Sequence, residues 1–180
     1  INTHYLDADL KILTGLIEPH FYAGFSGSRK SILPGISSFQ TMKFMHSYKV
    51  IDQLHQANCR LENNIFHQYA MEVTELAGVD FILNVVINQE RELAGVLAGH
   101  YDLAHQEGCK LVSSHAVAKV DEKVDLVITS AGGYPLDASF YQVSKCLIAA
   151  KDILKENGTI FVTCGCEEGL GGEEFCTIMR

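Results

Sequence analysis

Apolar residues in the first half of the chain show both strand-like and helix-like spacing. The largely apolar run Leu10–Ile17 predicts a buried strand, and Val79–Ile87 predicts a second one. The segment Glu92–Gly99 is a predicted antiparallel partner of the second strand, with Asn88–Arg91 as the turn between them.

Three segments have the spacing of amphipathic helices, namely Phe39–Leu54, Glu62–Ala77 and Tyr101–Ala118. Ser38 is a predicted N-cap of the first helix, and Gly78 lies where the second should end. The predicted core residues of the first helix are Phe39, Met42, Val50 and Leu54.

The last third of the chain predicts a strand–helix–strand unit, with strands at Val124–Ser130 and Thr159–Cys164 and a helix over Ser139–Asn157. Strands joined by such a crossover are parallel, and ligands lie beyond their carboxyl ends. Two glycine-rich loops, residues 131–137 and 165–172, are expected at that edge.

The predicted fold class is therefore α/β, with two α/β segments that are parts of two domains of a larger protein. A charged stretch, Ala118–Asp125, marks the boundary between residues 1–117, in the N-terminal domain, and residues 118–180, in the C-terminal domain. Because the chain starts at Ile1 and stops at Arg180, within a stretch typical of a helix start, we expect a fragment of a longer protein.

Composition excludes several partners. The net charge is −8 and the pI is near 5.4, which argues against nucleic acid. No apolar run reaches the roughly 18 residues of a membrane-spanning helix, so no membrane partner is expected. The six cysteines predict reduced thiols in a cytoplasmic protein, and the pair in Cys164-Gly165-Cys166 is too closely spaced for a usual zinc site.

The loop Glu18–Ser38 carries the first candidate chemistry. Its "GFSGSRKS" stretch lacks the Walker spacing, so it gives no basis for assigning ATP. Lys30 is either a solvated lysine or a covalent one. We expect the adjacent Arg29 to disfavour the ammonium form of Lys30 and make its amine a better nucleophile.

Two histidines and a polar cluster are further candidates. His20, at the end of the first strand, is either satisfied by backbone groups or catalytic. His46 shares a predicted apolar face with Met42 and Val50, which suits either a core histidine or an inward-facing metal ligand. A polar cluster lies at the start of the last predicted helix and consists of Tyr141, Gln142 and Lys145. It is either an ordinary surface turn or a site for an anionic or carbonyl-bearing group.

Taken together, "GLIEPHFYAGFSGSRKSILPG", a histidine on the next helix, "SAGGYPLDASFYQVSK" and "EEGLGGEEF" resemble the lactate racemase LarA family. That family comprises nickel-pincer-dependent racemases and epimerases of 2-hydroxyacids. The resemblance covers nearly the whole chain. The separations of His20, Lys30 and His46, 10 and 16 residues, also match the family.

The resemblance implies a role for each candidate residue. Lys30 would carry a covalent nickel-pincer nucleotide, His46 would complete the nickel coordination, and His20 would deprotonate the substrate hydroxyl while hydride moves to the cofactor. The residues implied to approach the substrate or cofactor are Tyr141, Gln142 and Lys145. The implied partners are a small 2-hydroxyacid and dedicated cofactor-maturation proteins.

The family places its second catalytic histidine and its carboxylate-binding arginine upstream of the matching region, so we expect the fragment alone to be inactive. Two other functions are compatible with the residues. One is a pyridoxal-type enzyme that forms a Schiff base with Lys30, and the other is a non-catalytic protein that binds a metabolite or metal on the same fold.

Overall fold

A computed structural model of the protein describes residues 1–54, 57–118 and 120–179. The chain forms two compact units, Ile1–Val117 and Ala118–Arg180. We call them unit 1 and unit 2 and describe each by itself.

Unit 1 mixes short strands with helices. Its strands are β1 (Ile12–Leu16), β2 (Pro19–His20), β3 (Gly24–Phe25), β4 (Phe81–Ile87) and β5 (Leu93–Gly99). Its α-helices are α1 (Thr3–Leu6), α2 (Phe39–Met45), α3 (Tyr48–Ile51), α4 (Ile65–Ala77) and α5 (Leu103–Ala116), and a 3-10 helix spans Ser28–Ser31.

The main sheet of unit 1 has the order β1-β4-β5. Strand β4 pairs in parallel with β1 and antiparallel with β5, which confirms the predicted hairpin. Leu13 of β1, Ile82 and Val86 of β4, and Ile17 directly after β1 are buried. They pack against α4 and α5 through Ala77, Cys109 and Val112, so the core lies between the sheet and these helices.

Unit 2 contains β6 (Val124–Ser130), α6 (Phe140–Lys151), β7 (Leu154–Thr163) and α7 (Glu173–Ile178). Strands β6 and β7 pair in parallel, which confirms the predicted strand–helix–strand unit. The predicted helix to Asn157 is too long, because the chain after Lys151 enters the sheet and Leu154 pairs with Val124. Strand pairing with a distant segment here overrides local helix propensity.

The predicted helix Phe39–Leu54 is interrupted. Helix α2 ends at Met45, and Ser47 is extended, with φ −74° and ψ 154°, before α3 begins. Serine is a weak helix former, which favours a break here, although the Ser47 Oγ makes no capping hydrogen bond to the start of α3. The predicted N-cap is confirmed, since Ser38 Oγ accepts a hydrogen bond from Thr41 N.

The break also changes which residues face the core. Phe39 is 68% exposed and Met42 is 37% exposed, so the prediction of both as core residues is wrong. Met45 and Val50 are buried, and Leu54 packs at the edge of a core cluster. In the part of the chain that the structure describes, no helix has the length and apolarity needed to cross a membrane.

The glycine-rich loop of unit 1 lies directly on the sheet. Asn84 of β4 is fully buried, and its Oδ1 accepts a hydrogen bond from Ser28 N at 2.9 Å. Gly27 adopts φ 80° and ψ 175°, a region that is nearly exclusive to glycine. A Cβ at Gly27 would lie 2.6 Å from Asn84 Oδ1. Glycine is therefore needed to allow the positive φ and to leave room for the Asn84 side chain.

We expect Gly27→Ala to destabilise unit 1 more than Gly78→Ala. Both glycines have positive φ, 80° and 76°, but a Cβ at Gly78 would meet only the flexible end of Lys11, at 3.7 Å. The backbone strain should cost about 1–3 kcal/mol at either site. The overpacking at Gly27 should add about 1–3 kcal/mol more. Urea unfolding of both variants measures the difference, and equal destabilisation would contradict the packing argument.

Candidate functional site

His20 lies in a tight hairpin that its own ring stabilises. Strands β2 and β3 pair through His20 and Gly24. The backbone N–H groups of Tyr22 and Ala23 both donate to His20 Nδ1 at 3.1 Å. Because Nδ1 accepts, the neutral ring carries its proton on Nε2. His20 is therefore arranged to present an N–H, not a lone pair, from Nε2.

Lys30 lies in the 3-10 helix that follows this hairpin. Its backbone N–H donates to Gly27 O, and its carbonyl accepts a hydrogen bond from Gly35 N, both at 3.1 Å. The side chain is half-buried. The backbone on either side of Lys30 is thus fixed by hydrogen bonds rather than left as an open loop.

The neighbouring Arg29 side chain is fully buried, a position that the sequence did not indicate. Its Nη2 donates to the carbonyls of Ala23 at 2.7 Å and Phe25 at 3.0 Å. Its Nε donates to His67 Nδ1 at 2.8 Å, and its Nη1 lies 2.7 Å from His105 Nε2. One guanidinium therefore joins the His20 hairpin to helices α4 and α5.

The electrostatics of this cluster favour one cation among neutral partners. Burial lowers the pKa of Arg29 to about 10, which still leaves it charged near neutrality. Burial, with the Arg29 charge, lowers the pKa of His67 to about 4 and that of His105 to about 3. Burial also raises the pKa of Cys109 to about 12. Both histidines are therefore neutral at physiological pH. His67 Nδ1 accepts a hydrogen bond from Arg29, whereas His105 Nε2 lies between Arg29 Nη1 and Ser26 O, which is 2.9 Å away.

His46 is not on an inward apolar face, so that prediction is wrong. Helix α2 ends one residue before it, and the His46 side chain is exposed at the C-terminal cap. Its Nδ1 donates to Met42 O at 2.8 Å, because a carbonyl can only accept. In the neutral ring this leaves the lone pair on Nε2.

Tyr22 connects the two candidate histidines of unit 1. Its ring centroid lies 6.4 Å from that of His20 and 6.1 Å from that of His46. The His46 ring also contacts Phe66 edge-on, with centroids 6.1 Å apart. Tyr22 is thus an aromatic neighbour of both His20 and His46. In the sequence, this contact is indicated only by the aromatic run "HFY", residues 20–22.

The polar cluster of unit 2 lies on the first turns of α6. Tyr141 and Lys145 are exposed and Gln142 is half-buried. The Phe140 and Tyr141 N–H groups donate to the carbonyls of Gly169 at 2.9 Å and Leu170 at 3.1 Å. The loop thus takes up backbone donors that a free helix start would offer to an anion. An anionic group at this cluster would therefore be recognised mainly by side chains.

Asp137 joins the two glycine-rich loops of unit 2 and was missed by the sequence analysis. It is 7% exposed, and its Oδ2 accepts a hydrogen bond from Gly165 N at 2.7 Å. Its carbonyl accepts another from Cys166 N at 3.0 Å. Both loops follow the carboxyl ends of the parallel strands β6 and β7, where the sequence predicted them.

Among residues 1–54, 57–118 and 120–179, no group of three or more His, Cys, Asp or Glu side chains is placed to hold a metal ion. A cavity of about 350 Å³ opens beyond the carboxyl ends of β1 and β4, next to the His20 hairpin. Its polar lining comes from Glu18, Asn88, Gln89 and His115.

Comparison with known proteins identifies the family. Residues 1–58 match the lactate racemase N-terminal domain, and residues 119–180 match the lactate racemase C-terminal domain. The chain belongs to the lactate racemase family, as its motifs had indicated.

Two curated relatives have sequences similar to this chain over 97% of its length. They are the lactate racemases of Thermoanaerobacterium thermosaccharolyticum, at 44% identity, and Lactiplantibacillus plantarum, at 40%. The chain spans 41% of the length of each relative.

Solved structures agree with the fold. The apoprotein of the T. thermosaccharolyticum lactate racemase matches with a TM-score of 0.91 and 43% identity, over 97% of this chain and 42% of that one. A protein from Thermotoga maritima matches with a TM-score of 0.58 and 22% identity over 78% of this chain and 36% of that one, which shows a similar fold alone.

We expect the free energy of unfolding to fall as the pH is lowered from 7.5 to 5. In the unfolded chain His67 and His105 take up protons near pH 6.5, whereas the folded cluster holds both neutral at that pH. The two neutral histidines therefore contribute fully to the free energy of unfolding above about pH 6.5, and this contribution is lost as the pH falls below that value. His105, the more buried of the two, should contribute at most about 1.4 kcal/mol per pH unit.

Urea midpoints across this pH range measure the slope. His67→Asn should make it shallower, since the Asn amide oxygen can replace Nδ1 as the acceptor from Arg29 without titrating. A wild-type stability that is flat between pH 7.5 and 5 would show that the two histidines are not held neutral.

Proposed function

We propose that the whole protein racemises or epimerises a small 2-hydroxyacid such as lactate, using a nickel-pincer nucleotide attached to Lys30. The relatives of 40–44% identity, both named lactate racemase, support the reaction. The observation that carries the proposal is the arrangement of His46, whose ring is held by Met42 O and lies against Tyr22 of the His20 hairpin.

His46 has the hydrogen bond that a metal-binding histidine usually makes. Ligating histidines nearly always donate their second ring N–H to a carbonyl or carboxylate, which fixes the tautomer. The bond from His46 Nδ1 to Met42 O does this and directs the lone pair to Nε2. The residues therefore fit the group, since the family's cofactor brings its own sulfur and carbon donors and needs one protein imidazole.

Lys30 fits the role of the attachment point. Hydrogen bonds to Gly27 and Gly35 fix the backbone of the turn that contains Lys30. Gly27, at the start of this turn, packs on Asn84. Attachment to an ordered turn would hold a bulky group in one position, which lowers the entropy cost of bringing it to the substrate. When bound, the nickel-pincer nucleotide supplies a hydride acceptor for the substrate α-carbon.

His20 is proposed to take the substrate hydroxyl proton. In the structure its Nδ1 lone pair is occupied by the N–H groups of Tyr22 and Ala23. The base role therefore requires the ring to release these two donors, so that one ring nitrogen accepts the hydroxyl proton. With Nδ1 held as it is, His20 is suited to donate from Nε2 to a substrate oxygen and thereby orient it.

Unit 2 is proposed to supply polar contacts to the substrate or cofactor. Lys145 is an exposed cation suited to a carboxylate or phosphate, and Tyr141 and Gln142 provide hydrogen-bonding groups on the same face of α6. The remaining proposed partners are cofactor-maturation proteins. A cytoplasmic location is proposed from the six free thiols.

Production of the longer protein together with the cofactor-maturation proteins tests the cofactor chemistry. We expect a mass adduct on Lys30 and about one nickel per chain, as pincer coordination requires. Lys30→Arg should lose both, whereas Lys43→Arg, at an exposed lysine of α2, should keep both. His46→Ala should keep the adduct and lose most of the nickel. An unmodified Lys30 in a preparation where a known lactate racemase is fully loaded would refute the proposal.

His20→Asn separates the two functions of the His20 ring. The Asn side-chain oxygen can accept from the Tyr22 and Ala23 N–H groups, so the hairpin should be kept while the ring that takes the proton is removed. We expect kcat to fall by about 10²–10⁴-fold, with the Lys30 adduct and nickel content unchanged. His4→Asn, at an exposed histidine of α1, is the matched control. Near wild-type turnover in His20→Asn would exclude His20 as the base.

A further inference from the structure

Two cysteine thiols lie in contact just beyond the end of β7. The Sγ atoms of Cys164 and Cys166 are 3.5 Å apart, with the Cys166 thiol donating to the Cys164 sulfur. Cys164 is exposed and Cys166 is half-buried. The proposed reaction uses neither thiol, and a spacing of two residues is unlike a usual zinc site.

The loop backbone accounts for this contact. Residues two apart in an extended strand are separated by about 6.8 Å, because a strand rises about 3.4 Å per residue. Cys166 leaves the extended conformation and has φ 49°, which is uncommon for a residue other than glycine. Asp137 fixes this turn by accepting hydrogen bonds from the N–H groups of Gly165 and Cys166.

We propose that Cys164 and Cys166 form a reversible dithiol–disulfide site that reacts with low-molecular-weight disulfides such as glutathione disulfide. The Cys164 thiolate attacks one sulfur of the external disulfide, so a mixed disulfide forms at Cys164 and one thiolate leaves. The Cys166 thiolate then attacks the Cys164 sulfur and expels the second thiolate. Two protein thiols are oxidised and one external disulfide is reduced to two thiols, which balances the electrons and the protons.

The order of attack follows from the geometry. Cys164 is the exposed sulfur, and Cys166 is the donor in the hydrogen bond between them. That hydrogen bond raises the pKa of Cys166, so Cys166 is less suited to attack first. Cys166 lies next to it and is placed to resolve the mixed disulfide. An S–S bond of about 2.05 Å requires the two sulfurs to approach by about 1.5 Å, within a short loop. Closure in such a short loop strains the bond, so the disulfide should be readily reduced again.

The remaining cysteines are less suited to this reaction. Cys109 is buried, and burial raises its pKa to about 12. The Cys146 thiol donates to Val143 O at 2.9 Å, and the Cys176 thiol donates to Gly171 O at 3.5 Å. Cys59 is half-buried, and burial raises its pKa. Selective oxidation of the Cys164–Cys166 pair is therefore expected.

The test uses the full chain, reduced first, then exposed to glutathione disulfide and blocked with N-ethylmaleimide. We expect two of the six thiols to escape alkylation, both in the segment that holds Cys164 and Cys166, with no retained glutathione. Trypsin leaves Cys176 on the same peptide, since no Lys or Arg lies between Lys155 and Arg180, so a second cleavage after Glu167 is needed. Reduced glutathione should restore all six thiols.

Single variants test the two roles. Cys166→Ser should accumulate a stable glutathione adduct on Cys164. In Cys164→Ser, the rate of reaction at Cys166 should be lower than the wild-type rate by at least about tenfold. Cys176→Ser, the control, should oxidise like the wild type. The proposal is overturned if the pair is alkylated as fully as Cys176 after oxidation, if a mixed disulfide persists in the wild type, or if the new disulfide joins two chains. These measurements need no cofactor, so they are independent of the racemase proposal.

Discussion

The buried guanidinium of Arg29 is the interaction on which the arrangement of unit 1 depends. A charge in the interior is tolerated only when hydrogen bonds replace its lost hydration. Arg29 meets this condition with two loop carbonyls and two imidazoles, on segments that are otherwise far apart in the chain. The condition fixes the His20 hairpin against α4 and α5, and it also requires both histidines to be neutral.

The candidate site of unit 1 is built outward from this fixed hairpin. Residues 23 and 25 are anchored by Arg29, so the turn that bears His20 and Tyr22 has little freedom. Tyr22 then lies against His46, whose ring is held by its own helix carbonyl. On the other side of Arg29, Gly27 and Asn84 hold the turn that carries Lys30 against the sheet. Rigid placement of this kind is what the covalently attached cofactor proposed for Lys30 would require.

Unit 2 uses a carboxylate where unit 1 uses a guanidinium. The Asp137 carboxylate accepts a hydrogen bond from Gly165 N, and its backbone carbonyl accepts one from Cys166 N. These two bonds fix the loop after β7 next to the start of α6. The same loop supplies carbonyls to the first N–H groups of α6, which carries Tyr141, Gln142 and Lys145. The positions of these side chains and the contact between the Cys164 and Cys166 thiols therefore depend on the carboxylate and the backbone carbonyl of one residue, Asp137.

The sequence by itself determined the α/β class, the hairpin of β4 and β5, the strand–helix–strand unit and the lactate racemase family. These rest on short-range spacing and on motifs, which are properties of neighbouring residues. It failed at His46, at Phe39 and at the end of α6, where a helix break or a distant strand pairing overrode the local pattern. Only the tertiary structure decided that Arg29 points inward, that Asp137 joins two loops and which ring nitrogen of His20, His46 and His67 takes part in a hydrogen bond. The physical reason is distance along the chain, since Arg29 meets partners 38 and 76 residues away that no local pattern contains.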